Sequence, residues 1–77
     1  MTSQPAYPGY ATPTFTCWQD RWFVSATPWV NGTIGWVQEH TAGWTATRGG
    51  GAYVGLFPDK QAAGEALIRH AGYEVLA

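Results

Sequence analysis

The side chains best suited to nucleophilic, acid–base or metal chemistry are those of Cys17, Asp20, Glu39, His40 and His70. A thiol beside an imidazole forms a nucleophilic pair, and imidazoles with carboxylates hold metal ions. Nothing in the spacing of Cys17, His40 and His70 brings these groups together, and the chain lacks the local signature of a catalytic cysteine. We therefore expect no enzymatic activity, no metal site and no cofactor.

A glycine run, RGGGAYVG at residues 48–55, has the composition of a phosphate-binding loop. Such loops require a strand before them and the N-terminus of a helix directly after them. Here a strand-like segment follows the glycines, so the run predicts a hairpin turn.

The elements that position these residues are strands over most of the chain. Aromatic and β-branched residues dominate from Thr14 onward, and Asn31–Gly32 has the sequence of a type I′ hairpin turn. From Asp59 the apolar period changes to that of a helix, with Ala63 and Leu67 on one stripe. We predict an α+β fold in which an antiparallel meander of three to five strands is covered on one face by a single C-terminal helix.

The ends and the packing of this helix follow from single residues. Asp59 suits the N-cap, because its carboxylate accepts a free backbone N–H. Gly72 suits the left-handed position after the helix, with Tyr73 packing back on Ile68 in a Schellman motif. Gly64, inside the helix, predicts a close approach of helix to sheet. Residues 1–12 lack periodicity and predict a flexible tail, which leaves 13–77 as one domain.

Five tryptophans are the most informative feature of the composition. A buried indole removes about 150–250 Å² from water. One short helix cannot cover that area for all five tryptophans. Trp18 and Trp22 are expected to share one environment, and Trp29 and Trp36 to lie across the Asn31–Gly32 turn. Three interpretations stay open: a single core, a surface for self-association or a partner, and a platform for nucleotides or sugars. The candidate partner-binding residues are Trp18, Trp22, Trp29, Trp36, Trp44 and Tyr53.

Charge and the N-terminal sequence limit the partners and the compartment. Only 12% of the 77 residues are charged and the net charge is −1, whereas globular domains average about 25% charged residues. The N-terminus has neither a basic start nor an apolar run, and no segment reaches the length of a membrane span. We expect a cytoplasmic protein that does not enter membranes. One lysine and one asparagine against ten glycines indicate a GC-rich genome, such as that of an actinobacterium or its phage.

VGLFPDKQAAGEALI, residues 54–68, resembles the sheet-to-helix corner of small phage and bacterial βββα domains, among them the arm-type, AP2-like DNA-binding domains of integrases. The resemblance implies that DNA lies against the open face of the sheet, with Arg21 and Arg48 as its contacts. The chain departs from that pattern because it has only four lysines and arginines. DNA-binding domains usually show a basic face.

These observations favour a small non-enzymatic interaction module, encoded by a phage or a mobile element. Its aromatic sheet face is expected to bind a protein partner, a host protein if the gene is a phage gene. Because few charges keep copies apart, we also expect a homodimer. The alternative is an arm-type nucleic-acid-binding domain that uses the same face.

Overall fold

The computed structural model describes residues 9–27 and 33–75, which form six strands and one helix. The elements are β1 (Tyr10–Trp18), β2 (Arg21–Thr27), β3 (Thr33–His40), β4 (Gly43–Arg48), β5 (Tyr53–Phe57), α1 (Lys60–His70) and β6 (Glu74–Val75). They build one curled sheet in the order β5-β4-β3-β2-β1-β6, with α1 against one side. The predicted α+β meander with a C-terminal helix is confirmed, but six strands exceed the predicted three to five.

The additional strand is β6, which pairs with β1 in parallel, whereas every other pair is antiparallel. Since β5 and β6 lie at opposite edges, the chain between them crosses the whole sheet, and α1 contacts all six strands. Eleven helical residues rise only about 16 Å, while six flat strands would span about 24 Å. The curl of the sheet shortens this crossing.

The first strand begins at Tyr10, within the last three residues of the segment predicted as a tail, 1–12. The rest of that segment, up to Pro8, lies outside the described residues, as do Trp29 and the predicted Asn31–Gly32 turn. The glycine run at 49–51 connects β4 to β5 as the sequence predicts.

The core lies between α1 and the side of the sheet that we call the helix face. Two irregularities in strand register enlarge it. Val24 pairs with Gly35 and Ser25 with Thr33, which leaves Ile34 as an extra residue in β3. A similar shift leaves Val54 extra in β5. Both residues pack with the core instead of alternating away from it. The buried members are Ala11, Val24, Ala26, Ile34, Val37, Ala46, Ala63, Leu67 and Ile68.

Both ends of α1 are closed as the sequence predicts. The Asp59 carboxylate accepts a hydrogen bond of 2.8 Å from the N–H of Ala62. At the other end Gly72 adopts φ +101°, and the N–H of Tyr73 donates to the carbonyl of Ile68 at 3.2 Å. This is the hydrogen bond of a Schellman motif. These local signals fix where the helix begins and ends.

The helix lies close to the sheet at Gly64, as predicted. A Cβ atom there would lie 2.5 Å from the ring of Phe15 and 3.2 Å from Pro13. The buried stripe contains the predicted Ala63 and Leu67. Gly64 joins this stripe, so the apolar side of α1 faces β1 as well as the centre of the sheet.

Candidate functional site

The side of the sheet turned away from α1, which we call the open face, carries a row of side chains across five strands. The register places Thr16 beside Phe23, Phe23 beside Trp36, Trp36 beside Thr47 and Thr47 beside Tyr53. Because side chains alternate along a strand, these residues share one face. The row is aromatic at its centre and threonine-flanked.

The centre of the row is a packed aromatic cluster. The rings of Phe23 and Trp36 meet edge to face, with centroids 6.3 Å apart and an interplanar angle of 63°. The guanidinium carbon of Arg21 lies 5.0 Å from the centroid of the Trp36 ring. This cation–π contact holds the arginine against the sheet.

Two large aromatic side chains at the ends of the open face are in solvent. Trp18, at the end of β1, and Tyr53, at the start of β5, are each 64% exposed. Leu56, also on β5, is 48% exposed. The open face thus combines a packed aromatic centre with exposed apolar side chains towards its ends.

The four tryptophans that the structure describes divide between the two sides of the sheet. Trp22 and Trp44 lie on the helix face, where both pack against the core, while Trp18 and Trp36 lie on the open face. The prediction that Trp18 and Trp22 share one environment is wrong. A two-residue turn pairs Trp18 with Arg21, so that position 22 falls on the opposite face. The interpretation that assigns every tryptophan to a single core fails at Trp18, which is exposed.

The two arginines implied as DNA contacts lie on different sides of the sheet. Arg21 is on the open face, over Trp36. Arg48 is half-buried on the helix face, where its Nε donates to the carbonyl of Ile34 at 3.1 Å. Its Nη1 donates to the carbonyl and the Nδ1 of His70, at 3.2 and 3.1 Å. Arg48 thereby ties the C-terminus of α1 to β3.

Of the side chains suited to nucleophilic, acid–base or metal chemistry, Asp20, Glu39 and His40 line one cleft, whereas Cys17 and His70 are not part of it. Cys17 is exposed, and its thiol contacts the carbonyl of Gln19 at 3.7 Å. His70 contacts Arg48, at the C-terminus of α1. In the described parts of the chain, no three His, Cys, Asp or Glu side chains are grouped as a metal site would require.

Two residues of the open face and of the adjoining β1–β2 turn do not stand out in the sequence. Phe23 completes the aromatic cluster of the open face. Alternation along the strand places it on the side of the sheet that Trp22 does not face. Gln19 adopts φ +58° in the β1–β2 turn, and no sequence pattern indicates this left-handed conformation for a glutamine.

Among residues 9–27 and 33–75, no helix is long and apolar enough to cross a membrane.

No family model, no curated protein and no solved structure matches the chain.

Proposed function

We propose that this protein is a non-enzymatic interaction module and that its open face binds a protein partner. The observation that carries the proposal is the aromatic surface opposite α1, with Trp18 and Tyr53 each 64% exposed at its ends. Aromatic side chains are enriched at the centres of protein interfaces, because they bury a large area at low entropic cost. If a phage or a mobile element encodes the chain, the partner is a host protein.

The distribution of charge favours a protein over a nucleic acid. The chain has four lysines and arginines, all within the described residues. Only Arg21 is on the open face; Lys60 and Arg69 belong to α1, and Arg48 is tied to its C-terminus. One neutralised phosphate would give a salt slope of about −0.9. Such weak electrostatic attraction argues against the arm-type alternative on this face.

The test compares the proteins that three purified baits capture from a cell lysate. The baits are the wild type, a variant with Trp18→Thr and Tyr53→Thr, and an Arg69→Thr control. The control removes an exposed side chain from the opposite side of the molecule. We expect the wild type and the control to capture the same protein in equal amounts, and this capture should survive treatment with nuclease. The double variant should bind the purified partner at least about tenfold more weakly, as for a hot-spot residue.

Two results would contradict the proposal. Partner binding that survives in the double variant would place the interface elsewhere on the molecule. Recovery that nuclease abolishes would favour the nucleic-acid alternative.

A further inference from the structure

A cleft of about 760 Å³ lies at one end of the sheet, apart from the centre of the open face. Its volume is within the range of about 300–1,000 Å³ that is common for small-molecule sites. The turn between β1 and β2 and the turn between β3 and β4 form its two sides. We call this feature the end cleft; it is lined by Gln19, Asp20, Trp22, Gln38, Glu39, His40, Thr41 and Trp44.

Unequal hairpin lengths create the end cleft. Trp22 of β2 pairs with Val37 of β3, and β2 begins only one residue earlier, at Arg21. Strand β3 continues to His40, which pairs with Gly43. The β3–β4 hairpin therefore extends past the β1–β2 hairpin, and the step between them is open on one side.

Two residues of the β1–β2 turn are held in position on this step. The Asp20 carboxylate accepts a hydrogen bond of 3.1 Å from the side-chain amide of Gln38, across the gap to β3. Gln19 adopts φ +58°, a backbone conformation that is unfavourable for a residue with a side chain and that is concentrated at functional sites. The turn keeps a glutamine where glycine would be less strained.

The charges around the end cleft disfavour both kinds of ion. Asp20 and Glu39 are carboxylates among its lining residues, and they repel an anion. Both carboxylates attract a cation, but the ammonium of Lys60 lies 3.6 Å from the centroid of the Trp22 ring and already places a positive charge against this indole. Since Lys60 also repels a second cation, the arrangement favours a neutral ligand.

We infer that the end cleft binds a neutral hexopyranose, free or at the end of a glycan. The C–H face of a pyranose ring packs on an indole, which Trp44 and the uncovered part of Trp22 offer. Its hydroxyl groups are both donors and acceptors. They match the carboxylate acceptors of Asp20 and Glu39 and the amide groups of Gln19 and Gln38.

The experiment records the five indole N–H signals of ¹⁵N-labelled protein during titration with maltose, cellobiose and N,N′-diacetylchitobiose. Galacturonic acid and tetramethylammonium serve as the anionic and cationic probes. We expect at least one neutral sugar to shift the signals of Trp22 and Trp44, with saturation below about 50 mM. The signals of Trp18 and Trp36, on the open face, should not move.

Substitutions of exposed carboxylates test the hydrogen-bonding role without disturbing the core. Glu39→Gln should weaken sugar binding about tenfold, because a neutral amide oxygen accepts a weaker hydrogen bond from a hydroxyl group than a carboxylate does. Glu74→Gln, on β6, makes the same change outside the end cleft and should leave affinity unchanged.

Three results would overturn the inference: no shift with any neutral sugar at about 50 mM, shifts confined to Trp18 and Trp36, or shifts with tetramethylammonium alone. A glycan source is separated from a free sugar by comparing reducing disaccharides with a neutral glycopeptide. Tighter binding of the glycopeptide would indicate a glycan end, and equal binding a free sugar.

Discussion

Arg48 provides the sharpest test of how the helix is fixed to the sheet. Its guanidinium donates to the carbonyls of Ile34 and His70 and to the His70 ring. Replacement by methionine keeps much of the aliphatic stem but removes all three hydrogen bonds. A hydrogen bond from a charged donor contributes about 1.5–3 kcal/mol. Because Arg48 is only half-buried, solvent screens the charge, and we take about 2 kcal/mol for the whole group.

For a domain of this size, about 2 kcal/mol is a large share of a free energy of unfolding of about 4–12 kcal/mol. It corresponds to a fall in Tm of about 8–16 °C. Thermal and urea unfolding, followed by circular dichroism, would measure it. The matched control is Arg69→Met, which removes the same charge from an exposed position in the same helical turn as His70. That variant should lose only about 0.3–1 kcal/mol. Equal losses in the two variants would refute the structural role assigned to Arg48.

Three further variants test the backbone and the two surfaces. Gly35→Ala should destabilise the domain by about 2–3 kcal/mol in urea unfolding, because the new Cβ would overlap the carbonyl oxygen of Thr47. Gly50→Ala, where nothing lies within 4 Å, should be neutral or stabilising, and similar losses at both glycines would contradict the close approach of β3 and β4 at Gly35. Gln19→Gly should raise the free energy of unfolding by about 0.5–1 kcal/mol while it weakens sugar binding in the indole titration; a loss of stability would show that the left-handed turn is not strained. Finally, wild-type protein should self-associate in sedimentation experiments at about 100 μM and Trp18→Thr should be monomeric, whereas a monomeric wild type would exclude the open face as a homodimer interface.

The parts of the fold that sequence predicts are those set by neighbours in the chain. Asp59 and Gly72 act within one helical turn, so their roles as caps follow from residue type and position. Gly64 is similar, since a glycine inside a helix costs about 1 kcal/mol relative to alanine, and its presence indicates a position where a side chain would not fit. The change from strand to helix near Asp59 is equally local, because it is a change in apolar period.

Features that depend on register or on distant contacts do not follow from the sequence. The sequence leaves YEVLA, residues 73–77, open between a last short strand and a frayed end, and β6 forms because α1 returns the chain to the far edge of the sheet beside β1. Ile34 enters the core because β2 and β3 shift register beside it, and alternation alone cannot show that shift. Arg48 meets His70 across 22 positions of sequence. Its implied role as a DNA contact rested on residue type, without knowledge of which face it occupies.

The β1–β2 hairpin explains why one short segment serves two surfaces. Because its turn has two residues, Trp18 and Arg21 form a pair on the open face, and Cys17 and Trp22 form the next pair on the helix face. The same turn holds Asp20 against β3 at the end cleft. A turn one residue longer would change which of these side chains face α1. The length of this turn therefore constrains the open face and the end cleft together. Contacts made by Trp18 and by Trp22 lie on opposite sides of the sheet, so they can be altered separately.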